Sequence, residues 1–250
     1  MLDSKVKRVA FRFSSIVVLG LASTLPAVAA PVSGMGNWES TLQGRDLDGD
    51  AANGFEAYYD TALNLTWLAD GNQALTSGYD ADGLMTWGQA MVWAQSLDVN
   101  GVKGWRLPTM VDTGAAGCDW AFSGTDCGYN IDAGHSELAH MYQVTLGNLS
   151  AYSPEGVFQP DFPIKNTGPF KNVQIQGYWT GVSYGPDASL AWRYGDYFEG
   201  AYQSSYSKER VLYALAVRSG DVAAVPEPEA YALVLAALAV VGVMGRQRRT

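Results

Sequence analysis

Thr86-Trp87-Gly88-Gln89-Ala90-Met91-Val92-Trp93-Ala94-Gln95-Ser96-Leu97 is the stretch on which the fold turns. Thr86 with Gln89 three residues later fits a capping box, in which the hydroxyl and the amide side chain each satisfy a backbone N–H at the helix start. Trp87, Ala90, Met91, Ala94 and Leu97 recur at helical spacing and form one stripe to be buried. Asn100-Gly101 supplies a stop. A second helix is predicted from Ser136 to Leu146, with Ser136 as N-cap, Glu137 in the first turn and Gly147 as the residue beyond the end. Its inward positions are Leu138, Met141, Tyr142 and Thr145. Upstream, Glu56–Tyr59 and Asn64–Leu68 read as two short strands joined by Asp60-Thr61-Ala62. Downstream, strand signals return at Tyr178–Gly181, Leu190–Arg193 and Val211–Arg218. Two helices followed by short strands predict an α+β domain.

The two ends of the 250-residue chain read as addresses rather than fold. Residues 1–30 predict a secretory signal peptide. Lys5, Lys7, Arg8 and Arg12 form its positive start, Ile16–Leu25 its apolar run, and Ala27-Val28-Ala29-Ala30 a small-residue cleavage site before Pro31. A retained membrane anchor is the competing reading. At the other end, within 222–250, Val225-Pro226-Glu227-Pro228 precedes an apolar run over 230–245 and then Arg246-Gln247-Arg248-Arg249. That run suits a short transmembrane helix, and the arginines hold its end on the cytoplasmic side. Pro226 and Pro228 separate it from the preceding domain, because Pro continues neither a ladder nor a helix interior. The three parts in this order resemble the PEP-CTERM sorting signal. The resemblance implies a Gram-negative bacterium, an exosortase as processing partner, and membrane contact through the C-terminal helix before processing. It also implies a place at the cell surface or in an exopolysaccharide matrix, in a biofilm setting. A plain C-terminal anchor competes with it.

Between these ends the charge balance sharpens. The whole chain has 16 basic and 25 acidic side chains, a net −9. The ends hold seven of the basic and three of the acidic ones, so the body carries nine against 22, a net −13. Phosphate binding needs clustered Lys and Arg, so no nucleic-acid partner is expected. About 195 residues suit one domain. It is placed at 55–221, after a polar, Gly-rich segment over 31–54 that is expected to be irregular.

Tyr59-Asp60-Thr61, Leu65-Thr66-Trp67, the Thr86 helix and Gly104-Trp105-Arg106-Leu107-Pro108-Thr109 form an ordered series. Ser136-Glu137-Leu138, Tyr178-Trp179-Thr180 and Ala216-Val217-Arg218 continue it. The series resembles the Lcl C-terminal-domain family, whose signature is the Trp-Arg-Leu-Pro-Thr segment. The resemblance implies a C-type-lectin-like fold: two helices flanking small antiparallel sheets, amino and carboxyl strands paired, and long loops that carry binding. The Glu-Pro-Asn and Trp-Asn-Asp motifs of true C-type lectins are missing, so sugar binding through a loop calcium is not carried over. Sulfated glycans, bound by some relatives of the fold, need a basic surface that a −13 body does not supply.

The candidate sites are four. Cys118 and Cys127, the only cysteines, are expected to form a disulfide in an exported chain. Asp46, Asp48 and Asp50 alternate as calcium ligands do, with Glu56 ten residues after Asp46. Ala51 and Ala57 stand where a full EF-hand loop needs Gly and Glu, so calcium is a possible cofactor and a solvated acidic turn is the alternative. His135, Glu137 and His140 invite a metal, but the five-residue histidine spacing spoils the zincin pattern, and polar helix-start roles are preferred. Finally, nine aromatic residues crowd into 178–206. Tyr184, Tyr194, Asp196, Tyr197, Tyr202 and Tyr206 are read there as a ligand surface for neutral glycan or a partner protein, with aromatic faces to stack and carboxylates to accept. A rigid loop that only completes the fold is the alternative. Arg106 is read as structural, paired with a carboxylate. No Gly-rich phosphate loop, nucleophile elbow or carboxylate pair with a base occurs, so no enzyme activity and no catalytic residues are expected. The chain reads as a binding module, with a purely structural matrix or biofilm protein as the first alternative and an enzyme using Cys118 or a metal at His135 and His140 as the second.

Overall fold

The computed structural model describes residues 30–114, 118–119, 125–196 and 200–222. The expected signal peptide, residues 1–29 of it, and the sorting tail from 223 on, with Pro226, Glu227 and Pro228, lie outside them. The described residues fold as two antiparallel sheets of four strands with few and short helices. The first sheet runs in the order β1 (Leu42–Arg45), β2 (Ala57–Asp60), β3 (Leu65–Leu68), β8 (Val217–Ser219). The second runs β4 (Gly128–Tyr129), β7 (Gly200–Ser207), β6 (Leu190–Asp196), β5 (Tyr178–Ser183). The helices are α1 (Trp38–Thr41), α2 (Gln73–Thr76), α3 (Trp87–Ser96) and α4 (Glu137–Ala139), the last running on into a π-helical turn over His140–Thr145.

The β2–β3 hairpin forms because Asp60 turns the chain. Its Oδ1 accepts from the N–H of Ala62 at 2.9 Å and of Leu63 at 3.3 Å. Asn64 then takes a left-handed φ of 53°, a conformation Asn tolerates. All four residues of β3 are buried, as expected of a central strand covered on both faces. β8 comes back from the far end of the sequence to pair with it, Trp67 opposite Val217 and Leu65 opposite Ser219.

The capping box forms. Thr86 Oγ1 accepts from Gln89 N at 3.4 Å, and Gln89 Oε1 accepts from Thr86 N at 2.9 Å. Ala90 and Ala94 are buried, Trp87, Met91 and Leu97 half-buried. Trp93, outside the expected stripe, is buried with them, which widens the inward face. Indole N–H groups tie this helix region to the second sheet: Trp87 Nε1 donates to Thr180 O and Trp179 Nε1 to Met85 O, both at 2.9 Å. Trp67, Trp93, Trp105 and Trp179 fill the centre of the core.

Four expectations are corrected. Segment 31–54 is not irregular throughout: it supplies α1 and the edge strand β1, whose Gly44 faces Tyr58 in register and packs beneath the Phe55 ring. Asn100-Gly101 does not end α3, which stops at Ser96; the pair takes φ of 51° and 87° and makes a two-residue turn closed by reciprocal Val99–Val102 hydrogen bonds. The second helix is α-helical only over Glu137–Ala139, because Leu146 N reaches back five residues to Met141 O. Within 211–218, only Val217–Arg218 belong to a strand; Leu212 and Tyr213 make isolated bridges to Met85 and Tyr178.

Candidate functional site

The crowded tyrosines divide between interior and surface. Residues 200–207 are the strand β7, not a loop, and its first five residues are buried. Tyr202 is 2 % exposed, with its ring 4.9 Å from that of Tyr129. Tyr194 is 3 % exposed, and its hydroxyl accepts from Gln143 Nε2 at 3.2 Å. Neither ring offers a face on the outer surface, where the glycan or partner was expected. Arg193, one residue earlier on β6, is buried, and its guanidinium lies 5.3 Å from the Tyr202 ring centre and 4.3 Å from that of Tyr206. Four residues apart on β7, both tyrosines face the same side of the strand, and the buried cation packs against both rings there.

Tyr184 and Tyr206 remain half-buried at the surface. They stand at one end of the second sheet, where Ser183, Ala191 and Tyr206 share a row across β5, β6 and β7. Tyr184 meets Trp192 edge-on at 5.1 Å. Trp192 Nε1 in turn donates to Asp112 Oδ2 at 2.9 Å, and Gly185 N donates to the same oxygen at 2.6 Å. Burial works to raise the Asp112 carboxyl, but these bonds and one from Gly114 outweigh it and hold it below the usual carboxylate range. Beside Tyr206, Arg210 lies 5.2 Å from the ring centre. Asp187 is exposed on the β5–β6 turn and accepts from Ser189 N and Oγ, which lowers its pKa. Asp196 is the last residue of β6, and Tyr197 lies outside the described residues.

The acidic turn is partly as read. Asp46, Asp48 and Glu56 each bring one carboxylate oxygen within 4.8 Å of the others. Asp46 Oδ1 accepts from Gly49 N at 2.7 Å, and Glu56 Oε2 from Leu47 N at 2.8 Å. Asn53 Nδ2 donates to Asp48 Oδ2, the largest of the bonds that lower the Asp48 carboxyl. Asp50 does not join them. It accepts from Ala52 N and caps the short 3-10 turn Ala51–Asn53. Glu56 takes its place because the β2 strand starts immediately after it and brings the chain back over Asp46. A hard cation such as Ca²⁺ takes an oxygen set of this kind.

Cys118 and Cys127 form the expected disulfide, with Cα atoms 4.6 Å apart. His135 and His140 do not converge on a shared cation. His135 faces Asp132 at 3.8 Å, while His140 Nδ1 lies 3.3 Å from Thr145 Oγ1 inside the fold. Arg106 has a carboxylate partner, Glu137, and this pair holds the signature segment rather than facing a ligand.

Residues 224–249 match the PEP-CTERM protein-sorting motif. The PEP-CTERM match covers the tail that carries Pro226, Glu227 and Pro228, and it marks an exported, exosortase-sorted protein associated with the surface of a Gram-negative bacterium. No curated protein and no solved structure matches the chain. None of these comparisons supports the resemblance of 55–221 to the Lcl C-terminal-domain family.

Proposed function

We propose that this PEP-CTERM protein is a non-enzymatic binding module of the cell surface or exopolysaccharide matrix, built on a C-type-lectin-like domain. The fold reading is supported by the return of β8 to the sheet of the first strands, and by short helices beside small antiparallel sheets. The ligand is a neutral glycan or a partner protein, met by the end of the second sheet at Tyr184 and Tyr206. The observation that carries this reading is that these two rings alone, among the described tyrosines of the expected surface, remain accessible, with the Asp187 carboxylate on the adjoining turn. An aromatic face flanked by a hydrogen-bond acceptor suits the apolar face and hydroxyl rim of a sugar. Calcium, held by Asp46, Asp48 and Glu56, belongs to the same reading as a stabiliser of the turn before β2.

A glycan array of the full chain, with and without Ca²⁺, tests the glycan half. Binding that Tyr184→Ala and Tyr206→Ala each weaken at least about tenfold supports it. No binding to any neutral glycan removes it and leaves the partner protein, to be sought by cross-linking from Tyr206 in the intact matrix. The burial of Tyr194 and Tyr202 favours a second reading, a structural matrix protein with no specific ligand. An unchanged biofilm in the Tyr184→Ala/Tyr206→Ala double variant would select it.

A further inference from the structure

Between the π-helical turn, the loop over 162–176 and the second sheet lies a cavity of about 350 Å³, open to the surface along the 163–176 loop. Its lining contains no carboxylate, ammonium or guanidinium group among the described residues. Met141, Tyr142, Phe162, Phe170, Tyr178 and Tyr194 give it an aromatic, apolar wall. Each of the three tyrosine hydroxyls has a hydrogen-bond partner in the protein. Tyr142 donates to Phe162 O at 3.0 Å, Tyr178 donates to Gly71 O at 3.1 Å and accepts from Gln174 N at 2.7 Å, and Tyr194 accepts from Gln143. What these residues present to the space is therefore ring faces and edges. Burial pushes the hydroxyls of Tyr142, Tyr178 and Tyr194 far above their ordinary range, as a water-poor setting does.

Such a space does not suit water, which needs two to four polar partners. Nor is it slack left by loose packing, because its walls are held in place. A Cβ on Gly200 would sit 2.8 Å from the Phe162 ring, and one on Gly71 would sit 3.0 Å from the Tyr178 hydroxyl, so bare backbone lets both rings close in. Tyr142 and Tyr194 already stand edge-to-face at 5.9 Å, the geometry in which a further ring is accommodated. Ile175 lines the cavity and is 51 % exposed, which places an apolar mouth at the surface.

We propose that this cavity is a binding site for a neutral, planar aromatic group of roughly ten to twelve non-hydrogen atoms, the number that water's share of liquid volume allows in the space. A charged group is rejected, because no charged side chain among the described lining residues compensates its desolvation. The site is independent of the proposed glycan or partner surface, since neither Tyr184 nor Tyr206 lines it, and either can fail alone.

Photolabelling tests it on the full chain in native membranes. The probe is 3-phenyl-3-trifluoromethyl-diazirine, a neutral molecule slightly above that size whose phenyl ring is the planar group to be held, with labelled peptides mapped by mass spectrometry. Labelling concentrated in the peptides that hold 138–146 and 162–178, suppressed by excess indole but not by toluenesulfonate, is the expected result. Ile175→Glu places a charge at the mouth without touching the core, and should cut that labelling about tenfold with the melting temperature unchanged. Met141→Trp should do the same by filling the space. Labelling no stronger than in other peptides of the body, or labelling displaced by octan-1-ol but not by indole, or equally by toluenesulfonate, overturns the proposal.

Discussion

Arg106 and Glu137, 31 residues apart in sequence, form a two-pronged ion pair, Nη1 to Oε2 and Nη2 to Oε1, both at 2.8 Å. Glu137 Oε2 also accepts from Thr109 N at 2.7 Å, and Glu137 N donates to Thr109 O. The backbone of Arg106 meanwhile exchanges two hydrogen bonds with Val217 at 2.8 Å. One pair thus fastens the Trp105–Thr109 segment to the start of α4 and to β8. Arg106→Ala would leave a largely buried carboxylate without its cation, and should cost about 2–3 kcal/mol in denaturant unfolding. Arg106→Lys keeps the charge but loses the fork, and should recover only part of that loss. A stability equal to wild type in both variants would remove the pair from the account of the fold.

The Cys118–Cys127 bridge closes a short loop, its partners nine positions apart in sequence. Replacing both with Ser should lower stability by about 2–3 kcal/mol. Reduced and oxidised wild type, compared by thermal melting, should differ by the same amount. Identical melting curves would show that the bridge constrains nothing that unfolding releases.

His140 gives the chain a pH dependence of definite sign. Burial lowers its pKa from 6.5, opposed in part by Asp60. The unfolded chain therefore binds more protons than the folded one as the pH falls below 6.5, so stability rises with pH across this window and is complete above it. Melting temperature should decline as pH is taken from about 7 to about 5, and His140→Gln should flatten that decline. Asp221, held below 3.8 by its hydrogen bonds from Arg45, acts only in more acid solution and does not blur the test.

Calcium at the acidic turn predicts a concentration-dependent melt. Extracellular sites of this type bind in the range of roughly 0.1–1 mM. At about ten times the dissociation constant, the bound ion should add about 1.4 kcal/mol and raise the midpoint by about 3–5 °C. Asp46→Asn should abolish the rise and Asp50→Asn should leave it, which separates the observed carboxylate group from the alternating triplet. The same melting temperature in millimolar Ca²⁺ and in chelator would remove calcium from the proposed function.

What was legible in the sequence was what neighbouring residues decide. Thr86 and Gln89 satisfy each other within one turn, and Asp60 caps the hairpin it belongs to, so both could be read from a few letters. β1 was hidden because an edge strand with part-exposed side chains carries no apolar alternation. β7 was hidden for the opposite reason: Gln203 and Ser204 are polar and buried, so the strand resembles a loop in composition. The need of Arg106 for a carboxylate was readable, but not that Glu137 meets it, because only the tertiary fold joins them. Likewise, the excess of tyrosine was visible, while Arg193, which packs against Tyr202 and Tyr206, was an unremarked cation in a strand.

The return of β8 also fixes how a pull on the tail would enter the domain. After Ser219 the chain recrosses the first sheet, where Gly220 bonds to Asn64 and Thr66, and Asp221 is gripped by the Arg45 fork at 2.7 Å. Pro226 follows Val222 by four residues, a reach of at most about 14 Å. Tension from a membrane-held tail would meet the Arg45 grip first and then shear β8 against partners on both flanks, β3 on one and Arg106 on the other. The attachment point is thereby a stitched seam rather than a fraying end.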